Sequence, residues 1–408
     1  MSKIKILAIP SDTYGVGKFR ILNPYSYIQE NYSDDFHIDI NLNVPDEDEI
    51  FRNYDMVIYH SFIHSSAPFE RNLYRLQWLK KNGIITIIDN DDFWETDFRH
   101  PLHQQIIKTN AHKQRIQLIK NSDYVTVTTP IFKKTIKEKL GLTNVYVFPN
   151  AIDENEQQYK PNLIPSDKIR FGWLGGSSHL YDLEILKNGV NYIYNSSPNN
   201  TQFVLCGFDL RGYVNEIDRQ TNQIKQREIR PEETTWYRYE KIFTNDYQAV
   251  DENYKKFLQS FRQTEYNDVH LPYRRRWTLP ITSYATNYNH FDVSLAPLVP
   301  STFNANKSQL KVIEAGFFKK ALIASETEPY TLDLVNAFDN GNFNDKGNCI
   351  LINPKRDHKD WGKYMKKLVD NPSLIENIGN RLYETVHEKY SMKKVSESRV
   401  QFLKTIKK

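Results

Sequence analysis

The chain has 408 residues, 39% of them hydrophobic, enough apolar material for two or three cores. Lys and Arg number 54 against 50 Asp and Glu; the net charge of +4 suits anionic ligands but does not by itself imply nucleic acid. The two cysteines, Cys206 and Cys349, lack metal-ligand spacing, which argues against a zinc site or a disulfide framework, and no apolar run is long enough to cross a membrane.

The opening stretch, MSKIKILAIPSD, reads as a buried strand rather than a signal peptide, so a cytoplasmic location is expected. Strands are expected at Ile4–Ile9, His37–Ile40, Met56–His60, Ile84–Ile88, Tyr124–Thr128 and Val145–Phe148. Helical stretches lie between them, including a long polar one at His103–Lys120. Strands alternating with helices imply a parallel sheet with right-handed crossovers. The polar stretch Glu154–Asp167, with its two prolines, reads as a linker. A second α/β unit begins near Lys168, with strands at Ile169–Leu174, Gln202–Cys206, Asp292–Ala296, Ala321–Ala324 and Cys349–Ile352. Residues 209–270 are charged, aromatic and aperiodic, as in an insertion. Helices at His358–Leu368, Pro372–Lys389 and Met392–Thr405 close the chain. The expected class is α/β, with two doubly wound, Rossmann-like domains facing a ligand cleft. Their bounds are 1–155 on the acceptor side and 156–390 on the nucleotide side, with 391–408 a helix that returns to the first domain.

The segment Phe303–Gly316 carries the most chemistry. It follows a strand and opens a helix expected at Gln309–Phe318, whose free N–H groups suit a phosphate. Lys307 and Lys311 are four apart and share a helical face, and Glu314 lies nearly on it. Two cations and a carboxylate that can accept from a ribose diol make a nucleoside diphosphate cradle; the same spacing also suits a solvated Lys/Glu face.

This segment resembles the donor-binding signature of family 4-like retaining glycosyltransferases, in the variant F-N-x-x-K-S-x-x-K-x-x-E-A. Ala321–Ser325, the run Phe291–Leu298 after Tyr284, Val147–Asp153, Gly172–Gly176 and Ile87–Asp92 resemble further family segments in the expected order. The resemblance implies a GT-B fold, a donor bound mainly by the C-terminal domain, and retention of configuration. It also implies donor contacts from Ser308 and the Gly175-Gly176 loop with Ser177 and His179. The first of the family's paired acids is Asn306 here, an amide that can still bond a hydroxyl. An Arg and a Lys usual after the Gly172 strand are replaced by Ser177, Ser178 and His179, so Arg275 of the Arg274–Arg276 run is a candidate for the missing charge.

Gly15-Val16-Gly17-Lys18 lacks the Walker spacing; Gly15, Gly17 and Arg20 are loop candidates near the acceptor, or an ordinary loop. Asp89-Asn90-Asp91-Asp92 could hold a divalent cation in the D-x-D manner of GT-A enzymes. The donor elements lie in the other half, however, so no metal is expected, and Asp91 and Asp92 are assigned to sugar or acceptor hydroxyls. His60 ends a strand at the same cleft.

The expected activity is transfer of a hexose from UDP- or GDP-sugar to a carbohydrate or other macromolecular acceptor, with Lys307, Lys311 and Asp92 catalytic and no cofactor required. Two alternatives stand beside it: a glycosyltransferase acting on modified DNA or protein, for which the net charge gives faint support, and a non-catalytic nucleotide-sugar-binding protein.

Overall fold

A computed structural model describes residues 2–209, 212–217, 223–244, 272–339 and 341–407. Two six-stranded parallel sheets organise them. The first contains β1 (Ile4–Ile9), β2 (Phe36–Ile40), β3 (Met56–His60), β4 (Ile85–Asn90), β5 (Tyr124–Val127) and β6 (Val145–Val147), in the order β2-β1-β3-β4-β5-β6. β3 is buried along its whole length, as a strand covered by helices on both faces should be.

The second sheet contains β7 (Ile169–Leu174), β8 (Thr201–Phe208), β11 (Tyr273–Trp277), β12 (Val293–Ala296), β13 (Ala321–Ser325) and β16 (Ile350–Ile352), in the order β11-β8-β7-β12-β13-β16. Between β8 and β11, β9 (Tyr213–Ile217) and β10 (Ile224–Glu228) form an antiparallel hairpin, and Thr235–Thr244 is a helix. The rest of the expected insertion, 245–270, lies outside the described residues. A small antiparallel pair, β14 (Phe338–Asp339) and β15 (Asn342–Phe343), precedes β16.

Three sequence expectations need correction. The helix over His103–Lys120 is two helices, His103–Lys108 and Ala111–Asn121, because Asn110 adopts the left-handed conformation (φ 55°) that an amide side chain tolerates. The arginine run, expected as a candidate for the missing diphosphate charge, is part of a sheet strand, β11. The donor helix is shorter than expected, Leu310–Phe317, and a separate turn of helix, Thr302–Ala305, is capped by the Ser301 hydroxyl accepting from the Asn304 amide.

The final helix, Met392–Lys407, crosses back onto the first sheet. Its Met392, Val395, Val400, Phe402 and Leu403 pack with Ile6, Ala8, Ile38 and Phe148. The two halves also interlock at the cleft. Phe19 belongs to the apolar cluster of the second sheet and Phe303 to that of the first. Lys18 donates to Glu156 (2.5 Å) and to the Ile281 carbonyl (3.2 Å).

Candidate active site

Between the two sheets lies a cleft of about 650 Å³. It sits at the carboxyl ends of the strands, where crossover loops leave a crevice.

From the second half, Lys307, Ser308, Lys311 and Glu314 line one wall. Lys307 precedes the helix Leu310–Phe317, so a shared helical face is not what unites it with Lys311; the turn between the two short helices does that. Lys311 donates to the Leu174 carbonyl and lies 4.8 Å from the Trp173 ring. Burial and the neighbouring Lys307 charge lower its ammonium to about 8. A Cβ on Gly175 would come 2.6 Å from the Trp173 ring and 2.8 Å from Lys311 Nζ, so only glycine fits there. Glu314 is buried; Oε1 accepts from the Tyr284 hydroxyl and Oε2 from that of Tyr288 (3.1 Å). Burial raises its carboxyl despite those two bonds.

Gly176 and His179 line the facing loop. Tyr239, from the helix Thr235–Thr244, donates to the Gly176 carbonyl (3.1 Å) and accepts from the His179 amide (2.7 Å). The expected insertion therefore supports the donor loop. His179 Nδ1 bonds Asp182 (2.8 Å), and burial with the nearby Lys307 charge lowers the imidazole to about 4, so it is neutral at pH 7.

From the first half, Gly15, Arg20, Asp91 and Asp92 line the opposite wall. Arg20 is fully buried and forks onto Asp89 (2.8 and 2.9 Å), while also donating to the Phe148 carbonyl (2.7 Å) and Asn150 (3.0 Å). That pair spends the Asp89 carboxylate on Arg20. Among the described residues no cluster of His, Cys, Asp and Glu has metal-ligand geometry. His60 bridges Ser11 (2.8 Å) and Asp91 (2.8 Å). Burial works to raise Asp91, but the His60 and Arg115 charges hold it below the usual range. Asp92 goes the other way, to about 6, through loss of water and the charge of Asp91.

Five sequence candidates do not line the cleft. Gly17 is buried beneath the loop; a Cβ there would strike the Asp12 carbonyl at 1.8 Å. His60 stands behind Asp91, bonded to it through Nε2 (2.8 Å). Ser177 is exposed at the loop tip. Arg275 faces inward from β11, fully buried and paired with Glu240 (3.0 Å), so it is not the missing diphosphate charge. Asn306 is buried, with its amide nitrogen donating to the Thr302 carbonyl (2.7 Å). Sequence reasoning missed the tyrosines around Glu314, Tyr239 and Asn150, whose amide donates across the cleft to Ser308 (3.2 Å). Tyr284 and Asn150 lie in the family-like segments Tyr284–Leu298 and Val147–Asp153, which are read for their resemblance and not for their side chains; Tyr288 and Tyr239 carry no spacing signal.

No family model matches the chain, and no curated protein does. Solved structures do match. The Anabaena protein Alr3699/HepE in complex with UDP aligns with a TM-score of 0.57 at 10% identity, over 99% of this chain and 100% of that one. An α-glucosyltransferase in complex with UDP and a 13-mer DNA containing an HMU base aligns at 0.56 and 10% identity, over 98% and 99%. S. aureus TarM, with fondaparinux, α-GlcNAc-glycerol and UDP, aligns at 0.51 and 12% identity, over 95% of this chain and 60% of that one. The fold is GT-B. Its two sheets and the cleft between them are those of the GT-B architecture, and at such low identity the likeness speaks for the fold alone.

Proposed function

We propose that the chain is a retaining glycosyltransferase that moves a hexose from a nucleoside diphosphate sugar to a hydroxyl acceptor. One observation carries the reading: Lys307, Lys311 and Glu314 converge on one wall of the cleft, opposite Asp91 and Asp92. The cations and the Gly175-Gly176 turn suit a diphosphate, and Glu314 suits the ribose diol. The neighbours bound to UDP and UDP-glucose favour uridine as the base.

In this mechanism the bond from the anomeric carbon to the β-phosphate oxygen breaks as the acceptor oxygen attacks from the same face. Lys307 and Lys311 stabilise the charge that grows on the departing diphosphate. Asp92 orients the acceptor hydroxyl, whose proton passes to the leaving phosphate. The sugar nucleotide is a substrate; no resident cofactor enters the scheme. The non-catalytic alternative drew its motive from Asn306, and that residue is bonded to Thr302 away from the cleft wall. The neighbour bound to DNA keeps a nucleic acid acceptor as a second reading.

UDP-glucose should raise the melting temperature and be slowly hydrolysed. Lys307→Ala with Lys311→Ala should lower turnover about 100-fold or more while the protein stays folded. Undiminished turnover by the double variant would falsify the assignment, as would absence of any nucleotide-sugar effect on melting.

A further inference from the structure

We propose that the mouth of the cleft is a docking surface for an anionic lipid bilayer, presenting a membrane-anchored acceptor to Asp92. The identity of that cargo rests on the glycosyltransferase reading; the docking itself rests on the surface.

Large apolar side chains stand exposed on a segment that adjoins the cleft and on elements beside it. On the segment after β4, Phe98 is 74%, Leu102 52% and Ile107 47% exposed; Tyr14 (74%) and Tyr181 (43%) flank them on either half. Tyr14 lines the cleft itself. This segment is held against the second half: the Arg99 guanidinium lies 5.0 Å from the Tyr181 ring, and His100 meets Phe303 edge-on at 5.3 Å. Phe303 in turn carries Lys307 at 4.8 Å, so the exposed segment reaches the donor wall. Solvated apolar groups clustered around one opening mark a contact surface, whereas single ones do not.

The charge of the segment selects the partner. From Phe98 to Ser122 there is no Asp or Glu. Lys108, Lys113 and Lys120 are exposed and have no carboxylate within ion-pairing distance among the described residues. Arg99 is already held by Asp97 (2.8 Å). Three free cations are too few for a track along a phosphate backbone, since nucleic acid interfaces are polar and strongly positive. Bulky apolar groups beside a few lysines instead match the headgroup boundary of an acidic bilayer, which takes up the first and attracts the second. No helix of the described residues is long and apolar enough to cross a membrane, so this contact would be peripheral.

The test is co-sedimentation of the full chain with phosphatidylcholine vesicles, with and without about a third phosphatidylglycerol. Binding is expected on the acidic vesicles and should weaken with salt. The variant Phe98→Ser/Leu102→Ser/Ile107→Ser should bind at least about tenfold more weakly with UDP affinity unchanged, because these side chains lie outside the donor wall. A Phe98→Trp reporter should shift its emission to the blue on acidic vesicles. No partition of the native chain, native-like binding by the triple variant, or retention of duplex DNA in place of vesicles each overturns the proposal. Vesicle binding by a chain that ignores every sugar nucleotide would sink the transferase reading and leave the docking surface standing.

Discussion

Asp92 and Lys311 face each other across the cleft, and the same cause moves both out of their ordinary ranges: each loses water on its wall. Asp92 titrates near about 6 and Lys311 near about 8. Burial opposes the charged form, raising an acid and lowering a base. If a carboxylate at Asp92 and an ammonium at Lys311 are both needed, kcat/KM should rise as pH climbs through the first value and fall as it climbs through the second. Asp92→Asn should flatten the acidic limb alone, and Lys311→Met the basic one. A profile level across about pH 5 to 9 would show that neither group titrates in the rate. These residues were legible as types and positions in the sequence. Their protonation was not, because it depends first on burial by segments remote in sequence: the Leu174 carbonyl and the Trp173 ring against Lys311, and His60 and Arg115 near Asp92.

The strand β11 shows where reading by element went astray. Arg274-Arg275-Arg276 suggests charge free to meet a diphosphate, yet Arg274 and Arg275 are both buried in the strand, and Arg275 pairs with Glu240 on the helix Thr235–Thr244. Nothing local announces that partner. The turn at Lys18–Leu22 is a similar case, since it delivers Arg20 to Asp89 at the end of β4. Removing one member of a buried pair strands the other's charge. Arg20→Ala should therefore lower unfolding free energy by about 3–5 kcal/mol in urea denaturation. Arg20→Lys should recover only part of this, because an ammonium cannot span both carboxylate oxygens. A change within error of the native protein for Arg20→Ala would mean that Asp89 finds another partner.

Across the whole molecule, the end of the chain helps to stabilise its beginning. Leu403 is fully buried against the first sheet, and Arg399 lies over the rings of Phe148 (4.7 Å) and Tyr25 (5.2 Å). Exposed pairs at the rim of this contact, Lys404 with Asp35 and Lys407 with Asp55, contribute little, about 0–1 kcal/mol each. Leu403→Ala, by contrast, should cost about 2–5 kcal/mol through the cavity it leaves. Hydrogen exchange should then quicken in β1 and β2, far away in sequence; quickening confined to the final helix would mean that the helix frays independently.

The sequence by itself determined the alternation of strands and helices, and hence two parallel sheets, because burial on both faces demands short runs as apolar or β-branched as Met56–Tyr59 and Ile84–Ile88. It also determined which short segment carries two lysines and a glutamate next to a helix start, since those residues are neighbours in the chain. Only the tertiary structure decided which candidates meet. Asn306 and Arg275 turn inward, His60 retreats behind Asp91, and Tyr239 arrives from a segment that carries no motif. The physical reason is that a cleft between two sheets is assembled from loop ends remote in sequence. Whether a given side chain faces the cleft or the core depends on packing partners that no local pattern encodes.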